Sequence, residues 1–210
     1  MTGQVSVHII DDDEAVRDSV RAIIEGAGHA CASYASAAEF LADPSSEGPG
    51  CALIDVRMPR MDGLALLNEL ASRGSKLAVI IMTGYADVPL AVKAMKAGAV
   101  DFVEKPSSRN DLVAAVERAI RSTKTQPNED SAEKTAARAR LDRLTERERD
   151  VLELLVTGDA NKVIAHKLGI SPRTVEIHRG RLMEKAGARS LAELVRLALA
   201  AGVDGKEGGH

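Results

Sequence analysis

At 210 residues, with 45% apolar and 28% charged side chains, the chain has room for one large or two small domains of ordinary soluble composition. Its net charge of −3 conceals an uneven distribution: residues 1–121 carry 12 basic and 17 acidic groups, net −5, whereas residues 161–189 carry seven basic and two acidic groups, net +5. No apolar run approaches the ~20 residues of a membrane span, and the N-terminus lacks the basic region and cleavage site of a signal peptide, so a cytoplasmic protein is expected.

Taken in chain order, Val5-Ser6-Val7-His8-Ile9-Ile10 reads as a strand, closed by Asp11-Asp12-Asp13. Helical spacing follows over residues 14–26 through Val16, Val20, Ile23 and Ile24. Residues 29–34 form a short second strand, 37–41 a helix, and 43–50 a loop rich in Pro, Ser and Gly. "CALIDVRMPRMDG" is a third strand, whose apolar run ends on Asp55. A helix over 64–72, a strand over 77–82 ending in Thr83-Gly84, a helix over 88–96, a strand over 100–103 ending at Lys105-Pro106, and a helix over 110–121 complete the series. Five strands alternating with five helices predict a doubly wound parallel sheet, buried on both faces by its helices. Cys31 and Cys51 stand in apolar surroundings with no CxxC or His/Cys cluster, and read as buried reduced thiols rather than zinc ligands.

Strand signals vanish after Ser122. Residues 125–130 are breaker-rich and read as a linker, followed by an exposed helix over 132–144. The remainder is helical, over 146–157, 161–168, 172–186 and 191–201. The expected organisation is a first domain over 1–121, a partly helical linker over 122–140, a small all-α domain over 141–201 and a disordered tail over 202–210.

Ligands of an open parallel sheet bind at the carboxyl ends of its strands. Here those ends carry Asp11, Asp12, Asp55, Thr83 and Lys105. Clustered carboxylates repel one another unless a cation neutralises them, and a few hard oxygen ligands suit Mg²⁺. A carboxylate nucleophile, a metal, a mobile ammonium and a hydroxyl donor together can move a phosphoryl group. An EF-hand reading of Asp11-Asp12-Asp13 fails on ligand spacing.

In these residues and motifs ("DVRMPRMDG", "MTG", "FVEKP" and the acid pair), residues 5–121 resemble a response-regulator receiver domain. The resemblance implies that Asp55 accepts a phosphoryl group from a sensor histidine kinase. It also implies that Asp12 and Asp55 bind Mg²⁺ with help from the Arg57 carbonyl, Asp11 acting through water, and that Thr83 and Lys105 contact the phosphate. Phe102 would be the aromatic switch that turns inward as Thr83 moves. Ser107 stands where the family often has an aromatic. Phosphatases of the haloacid dehalogenase type also use an acid nucleophile, but theirs lies on the first strand with a second Asp two residues on, which Asp55-Val56-Arg57 does not match.

"ISPRTVEIHRGRLMEKAG" begins with an N-cap, Ser171, and Pro172 at the first helical position. Val175, Leu182 and Ala186 form an inner stripe, while Arg173, Glu176, Ile177, Gly180, Arg181 and Glu184 face away from it. With the short helix before it and a turn at Gly169, this is a helix-turn-helix pattern able to enter a DNA major groove. Residues 144–199 resemble the LuxR/NarL-type output domain, and with this receiver the chain is similar to FixJ-type regulators along most of its length. That resemblance carries over Lys162 and Lys185 as phosphate contacts and residues 173–181 as the reading region, so the DNA-binding set is Lys162, Arg173, Thr174, Glu176, Ile177, Arg179, Arg181 and Lys185. The helix from Leu191 would be the dimer contact.

The expectation is a transcription regulator switched by aspartyl phosphorylation. It would be a homodimer when phosphorylated, with promoter duplex DNA and RNA polymerase as partners. It would not be an enzyme, beyond assisting its own phosphoryl transfer and dephosphorylation. The alternative is a phospho-receiver acting mainly through protein contacts.

Overall fold

Short strands that are apolar on both faces must be sandwiched between helices, and the structure arranges them so. The computed structural model describes residues 6–44, 48–84, 88–105, 107–123 and 130–203. Val5, the linker segment 124–129 and the tail past Val203 lie outside the described residues. In chain order the first elements are β1 (Ser6–Ile10), α1 (Glu14–Glu25), β2 (Cys31–Tyr34), α2 (Ala37–Ala42), β3 (Gly50–Asp55), α3 (Gly63–Ser72), β4 (Ala78–Thr83), α4 (Val88–Lys96), β5 (Asp101–Glu104) and α5 (Arg109–Ser122). The second half is wholly helical: α6 (Asp130–Leu141), α7 (Glu146–Val156), α8 (Asn161–Leu168), α9 (Pro172–Ala186) and α10 (Leu191–Ala200). Two compact units result, one over residues 1–85 with 96–125, the other over 86–95 with 126–210.

The sheet is parallel throughout, in the order β2-β1-β3-β4-β5. Alternate residues of its strands, including Val7, Ile9, Cys51, Leu53, Ile80 and Met82, pack against Val20 and Ile24 of α1 and Leu112, Ala115, Val116 and Ala119 of α5. On the opposite face, Phe40 of α2 lies against His8 and Tyr34, with ring centroids 5.4 and 5.1 Å away. His8 is 1% exposed, and burial pushes its pKa below the usual 6.5, a nearby Asp43 opposing. Its Nδ1 lies 3.2 Å from the Tyr34 hydroxyl, which in turn donates to Asp43 at 3.0 Å, so the buried imidazole is hydrogen-bonded.

Side-chain caps fix the helix starts. Asp13, Ser36, Asp62, Ser108, Ser171 and Ser190 each accept from backbone N–H groups of the helix they precede. Gly169 and Gly187, both at φ +64, close α8 and α9 in the left-handed region. Gly202 and Val203 donate back to Leu199 and Ala198, so they belong to the end of α10 rather than to the tail. Cys51 is fully buried, but Cys31 on the edge strand β2 is only half-buried, a correction to the expectation of two core thiols. Burial pushes the Cys51 thiol up to about 12 and the Cys31 thiol to about 11.

The loop after β3 returns to its origin: the Gly63 N–H donates to the Val56 carbonyl at 2.9 Å. A Cβ on Gly63 would lie 2.3 Å from the Asp55 carbonyl oxygen and 3.0 Å from the Val56 Cα, both backbone atoms. Gly63→Ala is therefore expected to destabilise the sheet unit by roughly 3 kcal/mol. Urea denaturation followed by circular dichroism checks this; an unchanged midpoint would mean that the loop can move aside.

Candidate functional site

Because all five strands run the same way and stay in register, their carboxyl ends share one edge of the sheet. Asp11 follows β1, Asp55 ends β3, Thr83 ends β4 and Lys105 follows β5. The structure brings them together. Carboxylate oxygens of Asp11, Asp12 and Asp55 all lie within 4.8 Å of one another. Asp11 and Asp55 are buried at 1% and 7% exposure, while Asp12 faces solvent. Lys105 Nζ donates to Asp55 Oδ1 at 2.5 Å and also to Asp11 Oδ2. The other carboxylate oxygens accept from backbone: Asp11 Oδ1 from the Asp13 N–H at 3.0 Å, and Asp55 Oδ2 from the Arg57 N–H at 2.6 Å. Arg17 reaches the Asp11 carbonyl at 2.8 Å, and the Lys105 N–H donates to the Thr83 carbonyl.

The electrostatics follow from this arrangement. Burial raises the Asp11 pKa above its ordinary 3.8, against the opposing pull of Lys105 and the Asp13 N–H. Burial lowers Lys105, but hydrogen bonds to Asp11 and Asp55 outweigh it and hold the ammonium above its usual range. The one ammonium thus bridges two of the three acids, and at Asp11, the most buried of them, burial outweighs what it supplies. A hard divalent cation matches both the remaining charge and the oxygen donor set, so the residues fit a metal.

Thr83 is 1% exposed at the end of β4. Phe102 pairs with Ile81 in the sheet and is 8% exposed. Among the described residues the Arg57 side chain is exposed, and Ser107, half-buried, follows the pocket lysine by two.

In the helical unit, the inner stripe is as expected: Val175, Leu182 and Ala186 are fully buried. Arg173, Glu176, Ile177, Gly180, Arg181 and Glu184 are exposed, and so is Lys162 on α8. Ile177 and Val163, at 47% and 42%, are the exposed large apolar side chains of the described structure, and each lies on a helix of this pair. Arg173 and Glu176 approach to 3.7 Å in the open, a contact of little energetic weight.

Three residues of the DNA-binding set are held by partners within the unit. Thr174 is half-buried and its hydroxyl lies 2.8 Å from Ser171 Oγ, within the helix cap. Arg179 is half-buried, donates to Asn161 Oδ1 at 3.0 Å and is pulled below its usual pKa by burial, so it braces α9 against the start of α8. Lys185 donates at 2.7 Å to Glu148, an acid 2% exposed. His178 is half-buried, with its Nδ1 unpartnered among the described residues.

Glu148 was passed over in the sequence, although Thr145-Glu146-Arg147-Glu148 has the spacing of a capping box. The box is formed: the Thr145 N–H donates to Glu148 Oε2 at 2.8 Å, and Thr145 Oγ1 accepts from the Glu148 N–H at 3.4 Å. Burial alone would raise this carboxyl; the hydrogen bonds from Lys185 and Thr145 overcome it and hold the pKa at about 2, against an ordinary 4.5.

Residues 7–117 match the response regulator receiver domain, and residues 142–198 match the bacterial regulatory proteins of the luxR family. The chain therefore belongs to the response regulators that join a receiver to a LuxR-type DNA-binding domain, and it is a regulator of transcription of the phosphorylation-dependent kind. It is FixJ-like in particular. It is 50% identical over 203 residues to the transcriptional regulatory protein FixJ of Azorhizobium caulinodans, covering 97% of this chain and 96% of that one. It is 41% identical to the tetrathionate response regulatory protein TtrR of Salmonella typhimurium, covering 91% and 90%. The crystal structure of full-length FixJ from B. japonicum matches with a TM-score of 0.54 at 44% identity, covering 96% of this chain and 98% of that one. A receiver implies a histidine kinase partner, and the LuxR-type domain implies DNA. No helix among the described residues is long and apolar enough to cross a membrane.

The depressed Glu148 pKa gives a pH signature. Its stabilisation is complete above pH 4.5 and is lost as pH falls through about 2. Glu148→Gln should therefore lower the stability of the helical unit at pH 7 by about 1 kcal/mol, with the difference from wild type closing as the medium is acidified across that window. Hydrogen exchange of the α7 and α9 amides at several pH values checks it; a pH-independent difference would remove the ionic part of the account.

Proposed function

We propose that Asp55 is the phosphoryl acceptor and that the acid pocket uses Mg²⁺. The observation that carries this is the clustering of Asp11, Asp12 and Asp55 at the sheet's carboxyl edge, with the half-buried Lys105 bridging Asp11 and Asp55. Asp11, Asp12, Asp55 and the Arg57 carbonyl would hold the metal, which when bound supplies charge neutralisation for an incoming phosphate. Lys105, already bridging two acids, is the ammonium that can shift to the new phosphoryl oxygens. Thr83 offers its hydroxyl to them, and Phe102 occupies the space that Thr83 vacates, making these two the switch.

The chain then divides into a receiver over 1–121, a linker over 122–140 whose later part is α6, and an output domain over 141–201. These bounds are supported by the two family matches and by the element order. Phosphorylation favours a homodimer through the α10 end of the output domain, which binds promoter duplex DNA and meets RNA polymerase in the cytosol. The same pocket assists removal of the phosphoryl group. Lys162 holds a DNA phosphate, with Arg173, Glu176, Ile177 and Arg181 turned towards base edges. Thr174, Arg179 and Lys185 support that surface through the Ser171 cap, Asn161 and Glu148, and Lys185 reaches a phosphate only by releasing Glu148.

Asp55→Asn should abolish labelling by acetyl phosphate in the presence of Mg²⁺ while leaving the circular dichroism spectrum unchanged. Full labelling of the variant on phosphoprotein gels would remove Asp55 from this role.

On DNA, Lys162→Ala should weaken binding to operator and scrambled duplex alike and flatten the salt slope by roughly one unit. Arg173→Ala or Glu176→Ala should instead cost on the order of 1–3 kcal/mol on the preferred sequence only. Titrations at several salt concentrations separate the two classes. Equal losses by all three variants on both duplexes would sink the base-reading assignment, and no loss at all would favour a protein partner for this face.

A further inference from the structure

Asp11 is fixed at each of its polar groups. Its N–H donates to the Tyr34 carbonyl at 3.2 Å, while Oδ1 accepts from the Asp13 N–H at 3.0 Å and Oδ2 from Lys105. The remaining group is its carbonyl. β1 ends at Ile10, and its pairing with β2 and β3 ends there too. α1 begins at Glu14, behind its cap Asp13. The Asp11 carbonyl therefore falls between strand and helix, where neither ladder supplies a donor. Arg17 Nη1 donates to it at 2.8 Å, the one hydrogen bond it accepts among the described residues.

Arg17 lies one turn into α1 and is half-buried, whereas Glu14, Ala15, Asp18 and Ser19 around it are exposed. Three aspartates stand at the end of β1, yet among the described residues its guanidinium forms an ion pair with none of them and bonds to backbone instead. The peptide it holds joins Asp11 to Asp12. A peptide is planar, so pinning its oxygen sets the plane from which both acids leave. For Asp12 this matters most. Its side chain is exposed and accepts no hydrogen bond among the described residues, so its backbone alone brings its carboxylate within 4.8 Å of those of Asp11 and Asp55.

We propose that Arg17 is a positioning residue for the metal site: by holding the carbonyl of the Asp11–Asp12 peptide, it fixes those two carboxylates in the arrangement that binds Mg²⁺. The inference rests on the reading of the acid pocket as a Mg²⁺ site. Arg17 itself touches neither metal nor phosphate. It acts through one peptide plane, as groups hydrogen-bonded behind metal ligands do elsewhere. Two plainer roles would leave different marks. A guanidinium acting only as a charge repels a divalent cation, so its removal would tighten binding. A guanidinium that only satisfies a carbonyl would, on removal, lower stability and leave Mg²⁺ affinity alone. The sign of the change in affinity separates the three.

The test is calorimetric titration of the full, unphosphorylated chain with Mg²⁺ at ~0.15 M salt, where the Coulomb contribution is screened. Wild type is compared with Arg17→Met, Arg17→Gln, Arg17→Lys and Asp12→Asn, and melting in EDTA shows that each is folded. Because Arg17 is only half-buried, water can take its place at the carbonyl, and the uncharged variants should stay folded. Arg17→Met and Arg17→Gln should bind Mg²⁺ about tenfold more weakly than wild type. Arg17→Lys keeps a donor on a long stem and should recover most of that loss. A folded Met or Gln variant that binds Mg²⁺ as tightly as wild type, or more tightly, would overturn the proposal. So would an Arg17→Lys as weak as Arg17→Met, or a failure of both uncharged variants to fold, which would make the bond a structural one. Asp12→Asn removes a ligand charge and should lose most of the binding. If it titrates like wild type, the Mg²⁺ reading of the pocket fails, and the proposal with it.

Discussion

Lys105 holds the receiver's functional edge together. Its ammonium is shared between Asp11 after β1 and Asp55 at the end of β3, and its own strand pairs with β4, which ends in Thr83. Carboxylates at this depth have lost most of their water, and without a cation they would be protonated or pushed apart. The same contact that makes the buried acids tolerable makes them responsive. Parallel topology keeps the four strand ends in register, so the shared ammonium has a fixed place between its two partners.

In the helical unit the comparable constraint is Glu148. A single buried acid closes the capping box of α7 and anchors the last turn of α9, while Arg179 ties the middle of α9 to the start of α8. The basic residues of this pair thus divide into those that fix the helices to one another and those that remain outward. The outward group includes Lys162, Arg173 and Arg181, and the exposed Ile177 and Val163 lie on the same two helices.

The sheet and its pocket were legible in the sequence because the signals there are local and repeated. Each strand is a short apolar run that stops on a polar residue, and parallel topology carries those stops to one edge. Strand order is not local, and Cys31 shows the cost: its apolar neighbours suggested a core thiol, but β2 lies at the sheet's edge. The local partners on α9 were less legible. Helical periodicity identified the buried stripe of Val175, Leu182 and Ala186 but not the flanks of the helix, where Arg179 and Lys185 find partners 18 and 37 residues away in the chain. Glu148 could have been found, since the capping-box spacing is written in Thr145 and Glu148.

The partners in the acid pocket lie far apart along the chain: Lys105 is 94 residues from Asp11 and 50 from Asp55. During synthesis both acids emerge from the ribosome well before their counter-charge. Until residue 105 is available, β1 and β3 can pair only with their carboxylates uncompensated, and late, long-range closure of this kind is slow. A nascent or truncated chain that stops short of residue 105 therefore carries both acids without the lysine that makes their burial tolerable.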